Sequence, residues 1–233
     1  TKILLTSNIK YDEKATTKTS TTLKSDVTTT ITNYNTNTLS QFDGVFRFSK
    51  LSSLIDATDN SILSNITTLK IRKDFTPTLG SSTKYNVYFR NALYNPHSGH
   101  NSSAGGILES SGFKISGDSS TVFYLDDDGQ GNVRRYSFSG ATRVYANETQ
   151  GTIDYSTGAI TINSLSVLSV ENIRGAASTK IELTVKPDSN DVTPVRDQIL
   201  EIDTANSSIT VTADTFVGGS ADAGVGYTTT SSY

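Results

Sequence analysis

Two hydrophobic periods follow one another between Leu23 and Phe75, and they restrict the fold of this chain more than any other feature. Leu23, Val27, Ile31 and Tyr34 recur at the spacing of one face of an α-helix, and this pattern predicts a helix. Three consecutive threonines lower its intrinsic helix propensity, so packing against the rest of the protein has to stabilise it.

The second half of this stretch predicts a short strand, a second helix and a long strand. The short strand is predicted over Val45–Phe48, and the hydroxyl of Ser49 is suited to the N-cap of the helix that follows. The apolar face of that helix consists of Leu51, Leu54 and Ile55. The long strand alternates from Ile66 to Phe75, with Arg72 predicted to face outward.

The order of these elements predicts an α+β fold class for the first part of the chain. An alternating strand at Ile3–Tyr11 precedes the first helix, so we expect residues 1–80 to form a small sheet with helices covering one face. Residues 81–217 predict a mainly antiparallel β domain with several hairpins. Its hairpin turns are expected at residues 126–132, 156–158 and 203–206. Residues 218–233 are small and polar, which is typical of a flexible or extended tail.

Composition supports this β-rich interpretation and argues against several function classes. The 233 residues include 35 Thr, 32 Ser and 16 Asn, which suit half-wet strands and turns. The net charge is −3 without a basic run, so no nucleic acid partner is expected. No apolar run approaches the ~20 residues that span a bilayer, so no membrane insertion is expected. The chain lacks Cys and Met and begins with Thr, which predicts a C-terminal fragment of a longer protein.

Two motifs resemble metal sites, and both have a simpler interpretation. His97 and His100 lie in a Gly/Ser-rich loop, but the next carboxylate along the chain is Glu109, so an exposed loop at an interface is favoured over a metal site. Asp126–Asp128 lies between predicted strands without the closing Glu of a calcium loop, which favours a solvated turn. We therefore predict no metal and no cofactor.

No pattern of residues predicts catalysis. The chain has no G-x-S-x-G motif, neither histidine is placed to serve one, and no pair of carboxylates stands out. We therefore expect a protein that is not an enzyme.

Aromatic residues around the fourth predicted strand have two interpretations that the sequence leaves open. Tyr85, Tyr88, Phe89 and Tyr94 could pack in the core or lie at a subunit interface, where Tyr and Arg are enriched. Alternation places Tyr88 on the face opposite Tyr85 and Phe89, so the interface interpretation stays open beside the core interpretation. The predicted interface residues are Tyr88, Arg90, Tyr94, His97 and His100.

Several short motifs resemble the J-like baseplate wedge family of contractile-tailed phages. The segment 46–51 (FRFSKL), followed by Ser64-Asn65-Ile66, resembles a strand, helix and strand step in the C-terminal half of that family. Residues 94–100, 123–129 and 151–158 resemble its T4-type branch. These motifs suit packing and turns, and none carries catalytic side chains.

The resemblance implies a virion structural protein of the tail baseplate that is assembled in the host cytoplasm. Such a protein would form a homodimer and then a ring of six wedges around the tail tube, with other baseplate wedge proteins as partners. It would use no cofactor. The alternative from another class is a bacterial surface adhesin or a secreted β-rich binding module, since the chain is rich in Ser, Thr and Asn and lacks Cys.

Overall fold

The computed structural model of the protein describes residues 1–100, 106–195 and 198–214. In these ranges the chain is mostly β, with two sheets and two α-helices. The predicted β-rich character is confirmed, whereas the helix-covered sheet unit stays a prediction. Neither helix in the described ranges has the length and apolar character that crossing a membrane requires.

The elements alternate between long strands and short connections. The helices are α1 (Ser20–Tyr34), which continues into a π-helical turn at Asn35–Leu39, and α2 (Phe48–Asp56). The strands are β1 (Lys2–Tyr11), β2 (Ile62–Phe75), β3 (Thr83–Tyr88), β4 (Glu109–Ser110), β5 (Phe113–Ile115), β6 (Asp118–Asp127), β7 (Asn132–Ser139), β8 (Thr142–Asp154), β9 (Ala159–Leu165), β10 (Val167–Val170), β11 (Ile181–Val185), β12 (Glu201–Ile202) and β13 (Ser208–Ala213).

The first sheet combines strands from both ends of the chain. β1 pairs antiparallel with β2, and β2 pairs antiparallel with β11, which in turn pairs with β4. On its other side β1 pairs in parallel with β12 and then β13. The predicted hairpin around residues 203–206 is therefore wrong, because β12 and β13 lie one after the other along β1 instead of pairing together.

The second sheet has seven strands, all antiparallel, in the order β10-β5-β6-β7-β8-β9-β3. β10 is the first strand in this order and β9 the last but one, yet only Ser166 separates them along the chain. The sheet therefore curves so that its two ends approach each other. The hairpins predicted around residues 126–132 and 156–158 are confirmed as β6–β7 and β8–β9. Gly151 lies so close to β9 that an added Cβ would be 1.9 Å from the carbonyl oxygen of Thr161.

The predicted division into residues 1–80, 81–217 and 218–233 stays a prediction. The first sheet takes strands from both sides of residue 80. The last range lies outside the described residues.

The first predicted helix is confirmed as α1. Its predicted apolar face is buried, and α1 lies against β13. Thr19 is the N-cap, and its Oγ1 accepts a hydrogen bond of 3.2 Å from the backbone N–H of Thr22. The hydroxyls of Thr28 and Thr29 donate hydrogen bonds to backbone carbonyls one turn earlier. The hydroxyl donors of these exposed side chains are therefore satisfied within the helix.

The second helix begins differently from the prediction. The predicted strand Val45–Phe48 is wrong, because Phe46 makes only a single β-bridge to Val192 and α2 already begins at Phe48. The predicted Ser49 cap is also wrong. Asp191 accepts a 2.9 Å hydrogen bond from the Phe48 N–H and pairs with Arg47 Nη1 at 2.9 Å. These two contacts lower the pKa of Asp191, so a carboxylate from the far end of the chain caps α2.

Arg72 is buried, which corrects its predicted outward position. Its Nη2 pairs with Asp203 at 2.8 Å. Its Nε and Nη1 lie 3.2 Å from Asp74 and 3.4 Å from Glu182, within ion-pair distance but without hydrogen-bond geometry. Lys2 lies beside Asp203 at 3.8 Å. One guanidinium therefore joins carboxylates of β2, β11 and the turn after β12.

Candidate interaction surface

The predicted interface residues fall in two places. Tyr88 is exposed at the end of β3, and Arg90 follows two residues later. Tyr94, His97 and His100 come together in the next loop. The structure thus brings three of the five side chains together and places the other two beside a pair of surface hollows.

The histidine loop is held by ring contacts. The Nδ1 of His100 lies 3.0 Å from the Nε2 of His97, and the Tyr94 ring meets the His100 ring edge-on at 5.6 Å between centroids. Lys186 places its ammonium 3.6 Å from the centre of the Tyr94 ring, a cation–π contact. In the described ranges no group of three or more His, Cys, Asp or Glu residues could hold a metal ion.

The predicted aromatic group around β3 does not form one cluster. Tyr85 packs on Phe75 with ring centroids 4.8 Å apart, and Phe89 is fully buried. Tyr88 points the other way and is 52% exposed. Alternation along the strand therefore separates the core-facing aromatic side chains from the one that is open to a partner.

Two shallow hollows meet at Arg90, and we call this surface the Arg90 hollow. Their volumes are about 410 and 370 Å³. The first is lined by Lys73, Asp74, Phe75, Asn86, Val87, Tyr88, Arg90 and Gln198, and the second by Arg90, Asn91, Ala92, Ser156, Thr157 and Val195. Four separate segments of the chain therefore build one surface.

Lys73 and Arg90 bring two positive charges to the Arg90 hollow. Lys73 donates a 2.6 Å hydrogen bond from Nζ to the Tyr88 carbonyl, and burial together with the nearby charge of Arg90 lowers the pKa of Lys73. The carboxylate in the lining, Asp74, faces the guanidinium of Arg72. Of the seven arginines in the described ranges, only Arg90 makes neither a hydrogen bond nor an ion pair there.

The turn at one side of this surface is held by Asp154. Its Oδ1 accepts a 2.6 Å hydrogen bond from the Ser156 hydroxyl, and its Oδ2 accepts one of 2.6 Å from the Thr157 hydroxyl. These hydrogen bonds lower the pKa of Asp154 to about 2. The charged carboxylate therefore organises the two residues that line the hollow.

We expect this turn to weaken in acid. Because the pKa of Asp154 is lower in the folded chain than in the unfolded chain, its stabilisation is present above about pH 4 and is lost as the pH falls towards 2. Urea unfolding of the wild type and Asp154→Asn should differ at pH 5 and converge near pH 2. Thr142→Ala, at the tip of the β7–β8 hairpin, is the control whose difference from wild type should not change with pH. A pH-independent difference for Asp154→Asn would contradict the assignment.

The acidic segment 126–128 was predicted to be a solvated turn, and this prediction is wrong. Asp126 is buried and pairs with Arg134 at 3.0 Å and Arg143 at 2.6 Å. Asp127 is fully buried and accepts hydrogen bonds from the N–H groups of residues 107, 108 and 129 and from the Tyr155 hydroxyl. Burial and the Asp127 charge raise the pKa of Tyr155. These carboxylates stabilise the fold and have their acceptor sites in use.

Sequence reasoning missed an aromatic face on β6, β7 and β8. Tyr124 stacks on Tyr136 at 5.7 Å, and Tyr136 meets Phe138 edge-on at 5.3 Å. Arg143 covers the Tyr136 ring at 4.6 Å. Cross-strand register could have revealed this face, since Tyr124 lies opposite Tyr136 and Tyr136 opposite Tyr145. Its rings and cations already pair with one another, unlike Arg90.

Comparison with known proteins finds a family match for part of the chain. Residues 3–74 match the family model described as baseplate structural protein gp6, C-terminal domain III. The match supports a phage baseplate structural protein. The description of that family also agrees with a location in the tail baseplate. No curated protein matches the chain. The match covers β1, α1, α2 and nearly all of β2, and it does not address the J-like family specifically.

Proposed function

We propose that this chain is a baseplate wedge component of a contractile phage tail, related to the J-like wedge proteins. It self-associates, first as a dimer, and joins other wedge subunits into the ring around the tail tube. Assembly takes place in the host cytoplasm before the baseplate becomes part of the virion. The observation that carries the proposal is the family match over residues 3–74.

The Arg90 hollow and the histidine loop are consistent with this role. The Arg90 hollow offers an exposed tyrosine, an unpaired arginine and a partly buried lysine within one area. Tyr and Arg are the residue types that protein interfaces favour, and such anchors usually lie in concave surfaces. The histidine loop with Tyr94 and Lys186 is a second candidate contact on this part of the chain.

We expect the purified chain to self-associate and to bind wedge proteins from the same tail. Sedimentation velocity should show a dimer at micromolar concentration, and coexpression with neighbouring wedge proteins should yield a complex that copurifies. The contact should bury more than about 1,000 Å² in total. Tyr88→Ala should weaken association, whereas Leu168→Ala, a similarly exposed apolar side chain on β10, should not.

The opposite results are equally clear. A chain that stays monomeric at about 100 μM, which would detect even weak contacts, argues against self-association. Failure to copurify with any wedge protein argues against the wedge assignment.

A further inference from the structure

The Arg90 hollow has the composition of a receptor for a carboxylate next to an apolar group. Arg90 presents a planar set of N–H donors, and a guanidinium pairs with a carboxylate through two parallel hydrogen bonds. Lys73 adds a second positive charge at the same place. Tyr88 and Val195, which are 52% and 45% exposed, supply apolar surface beside these charges. Within the described ranges, Arg90 has no anion as a partner.

The turn after α1 carries the complementary groups. Phe42 is 78% exposed, more than any other large apolar side chain in the described ranges. The next residue, Asp43, is exposed and makes no hydrogen bond or ion pair within those ranges. An aromatic ring and an unpaired carboxylate are thus adjacent on one surface turn.

Backbone hydrogen bonds and close packing define this turn. Gln41 donates its N–H to the Leu39 carbonyl at 2.7 Å, and Gly44 donates to the Gln41 carbonyl at 3.2 Å. Asp43 has a φ of 64°, and an added Cβ on Gly44 would lie 2.6 Å from the Leu39 carbonyl oxygen. A turn that is already ordered loses little conformational entropy when it binds, which favours its use as an anchor.

We propose that the Arg90 hollow receives the Phe42–Asp43 turn of a second copy of this chain. The Asp43 carboxylate pairs with Arg90 and Lys73 of the other copy, and the Phe42 ring lies against Tyr88 and Val195. This contact rests on the proposed self-association and identifies the chemistry that performs it.

Complementarity is the reason for choosing a second copy as the occupant. Within the described ranges the Asp74 carboxylate of the hollow pairs with Arg72, which leaves Arg90 without an acidic partner. Asp43 on the turn has no cation there, so a contact between copies gives both charges a partner. The apolar parts of the two sites also match, because a desolvated aromatic anchor surrounded by polar contacts is typical of an interface hot spot. Phe42, Asp43 and Lys73 all lie in the segment that matches the baseplate family.

A charge exchange tests the proposal directly. Asp43→Arg and Arg90→Asp should each weaken self-association at least about tenfold in sedimentation velocity. A chain that carries both substitutions restores opposite charges across the contact, so it should recover part of the lost affinity. An equimolar mixture of the two single variants should also associate better than either variant alone.

Matched variants separate this contact from general surface effects. Phe42→Ala should weaken association, whereas Leu63→Ala, which removes another highly exposed side chain on β2, should leave it unchanged. At concentrations at which the chain is monomeric, circular dichroism should be the same for all variants, because Asp43 and Arg90 lack partners within the described part of one chain. Thermal unfolding of the monomer should also be unchanged, except for a small loss in Asp43→Arg, because the φ of 64° at this position disfavours Arg.

Each outcome has a definite meaning. A wild-type chain that associates while both single charge variants associate equally well overturns the contact and leaves self-association standing. Weakening by Arg90→Asp alone, with no rescue in the double variant, overturns the Phe42–Asp43 turn as the occupant. A monomeric wild type overturns self-association itself. Weakening by both single variants with rescue in the double variant supports the proposal.

Discussion

Replacing Asp127 with Ala is expected to lower the free energy of unfolding by about 3–5 kcal/mol. The carboxylate is fully buried and accepts backbone hydrogen bonds of 2.6 Å from Ile107 and 2.7 Å from Leu108. It also accepts a 2.6 Å hydrogen bond from the hydroxyl of Tyr155. The variant would leave these donors buried without an acceptor. Urea or thermal unfolding, followed by circular dichroism, measures the loss.

Two related variants show whether the hydrogen bonds are the cause. Tyr155→Phe removes one of the donors, so it should cost about 1 kcal/mol, and the double variant should cost less than the sum of the two single variants. Asp43→Asn changes an exposed aspartate without partners in the described ranges, so at a concentration at which the chain is monomeric it should stay within about 0.5 kcal/mol of wild type. A similar loss for Asp43→Asn and Asp127→Ala would contradict the assigned role of the buried carboxylate.

Replacing Arg72 with Met is expected to destabilise the first sheet by about 3–5 kcal/mol. Methionine fills much of the space of the aliphatic stem but removes the charge, which leaves the buried Asp203 without its 2.8 Å partner. Glu182 keeps its pairing with Arg174. Asp74 loses its cation, but its side chain is 24% exposed and water can solvate it. Asp203 is 6% exposed and keeps only the more distant Lys2 at 3.8 Å, so it is the carboxylate most affected. Chemical denaturation of the purified variant measures the change.

The matched control is Arg90→Met, because this arginine has neither a hydrogen bond nor an ion pair in the described ranges. At a concentration at which the chain is monomeric, Arg90→Met should change stability by less than about 0.5 kcal/mol. The double variant Arg72→Met/Asp203→Asn should be more stable than Arg72→Met alone, since the second change removes a buried charge that has lost its closest cation. A smaller effect for Arg72→Met than for Arg90→Met would refute the role of the buried ion pairs.

Local periodicity explains which elements could be predicted. The spacing of Leu23, Val27 and Ile31 determines one face of a helix wherever that helix lies, and α1 confirms it. The alternation in β1 and β2 and the turn residues of the β6–β7 and β8–β9 hairpins act in the same way. Each of these patterns extends over only about ten consecutive residues. It can therefore be recognised without knowing which segment the helix or strand packs against.

The candidate site could be predicted only in part. The alternation of β3 indicated that Tyr88 lies on the face opposite Phe89, and the structure exposes Tyr88 while burying Phe89. It gave no sign that Arg90 would lie beside Lys73, because that neighbour comes from β2. The same holds for Val195, which joins the hollow from near the other end of the chain.

By itself, the sequence determined the β-rich character, α1, the long strands and two of the three hairpins, since hydrophobic period and turn residues act locally. Only the tertiary structure decided that β12 and β13 align in parallel with β1, that Asp191 caps α2, and that Arg72 meets an aspartate 131 residues away. It also decided that, of the seven arginines in the described ranges, Arg90 stays unpaired. The same physical reason applies to all four features. Charge pairing and strand order depend on which distant segments meet in the fold, and the local spacing of residues does not determine this.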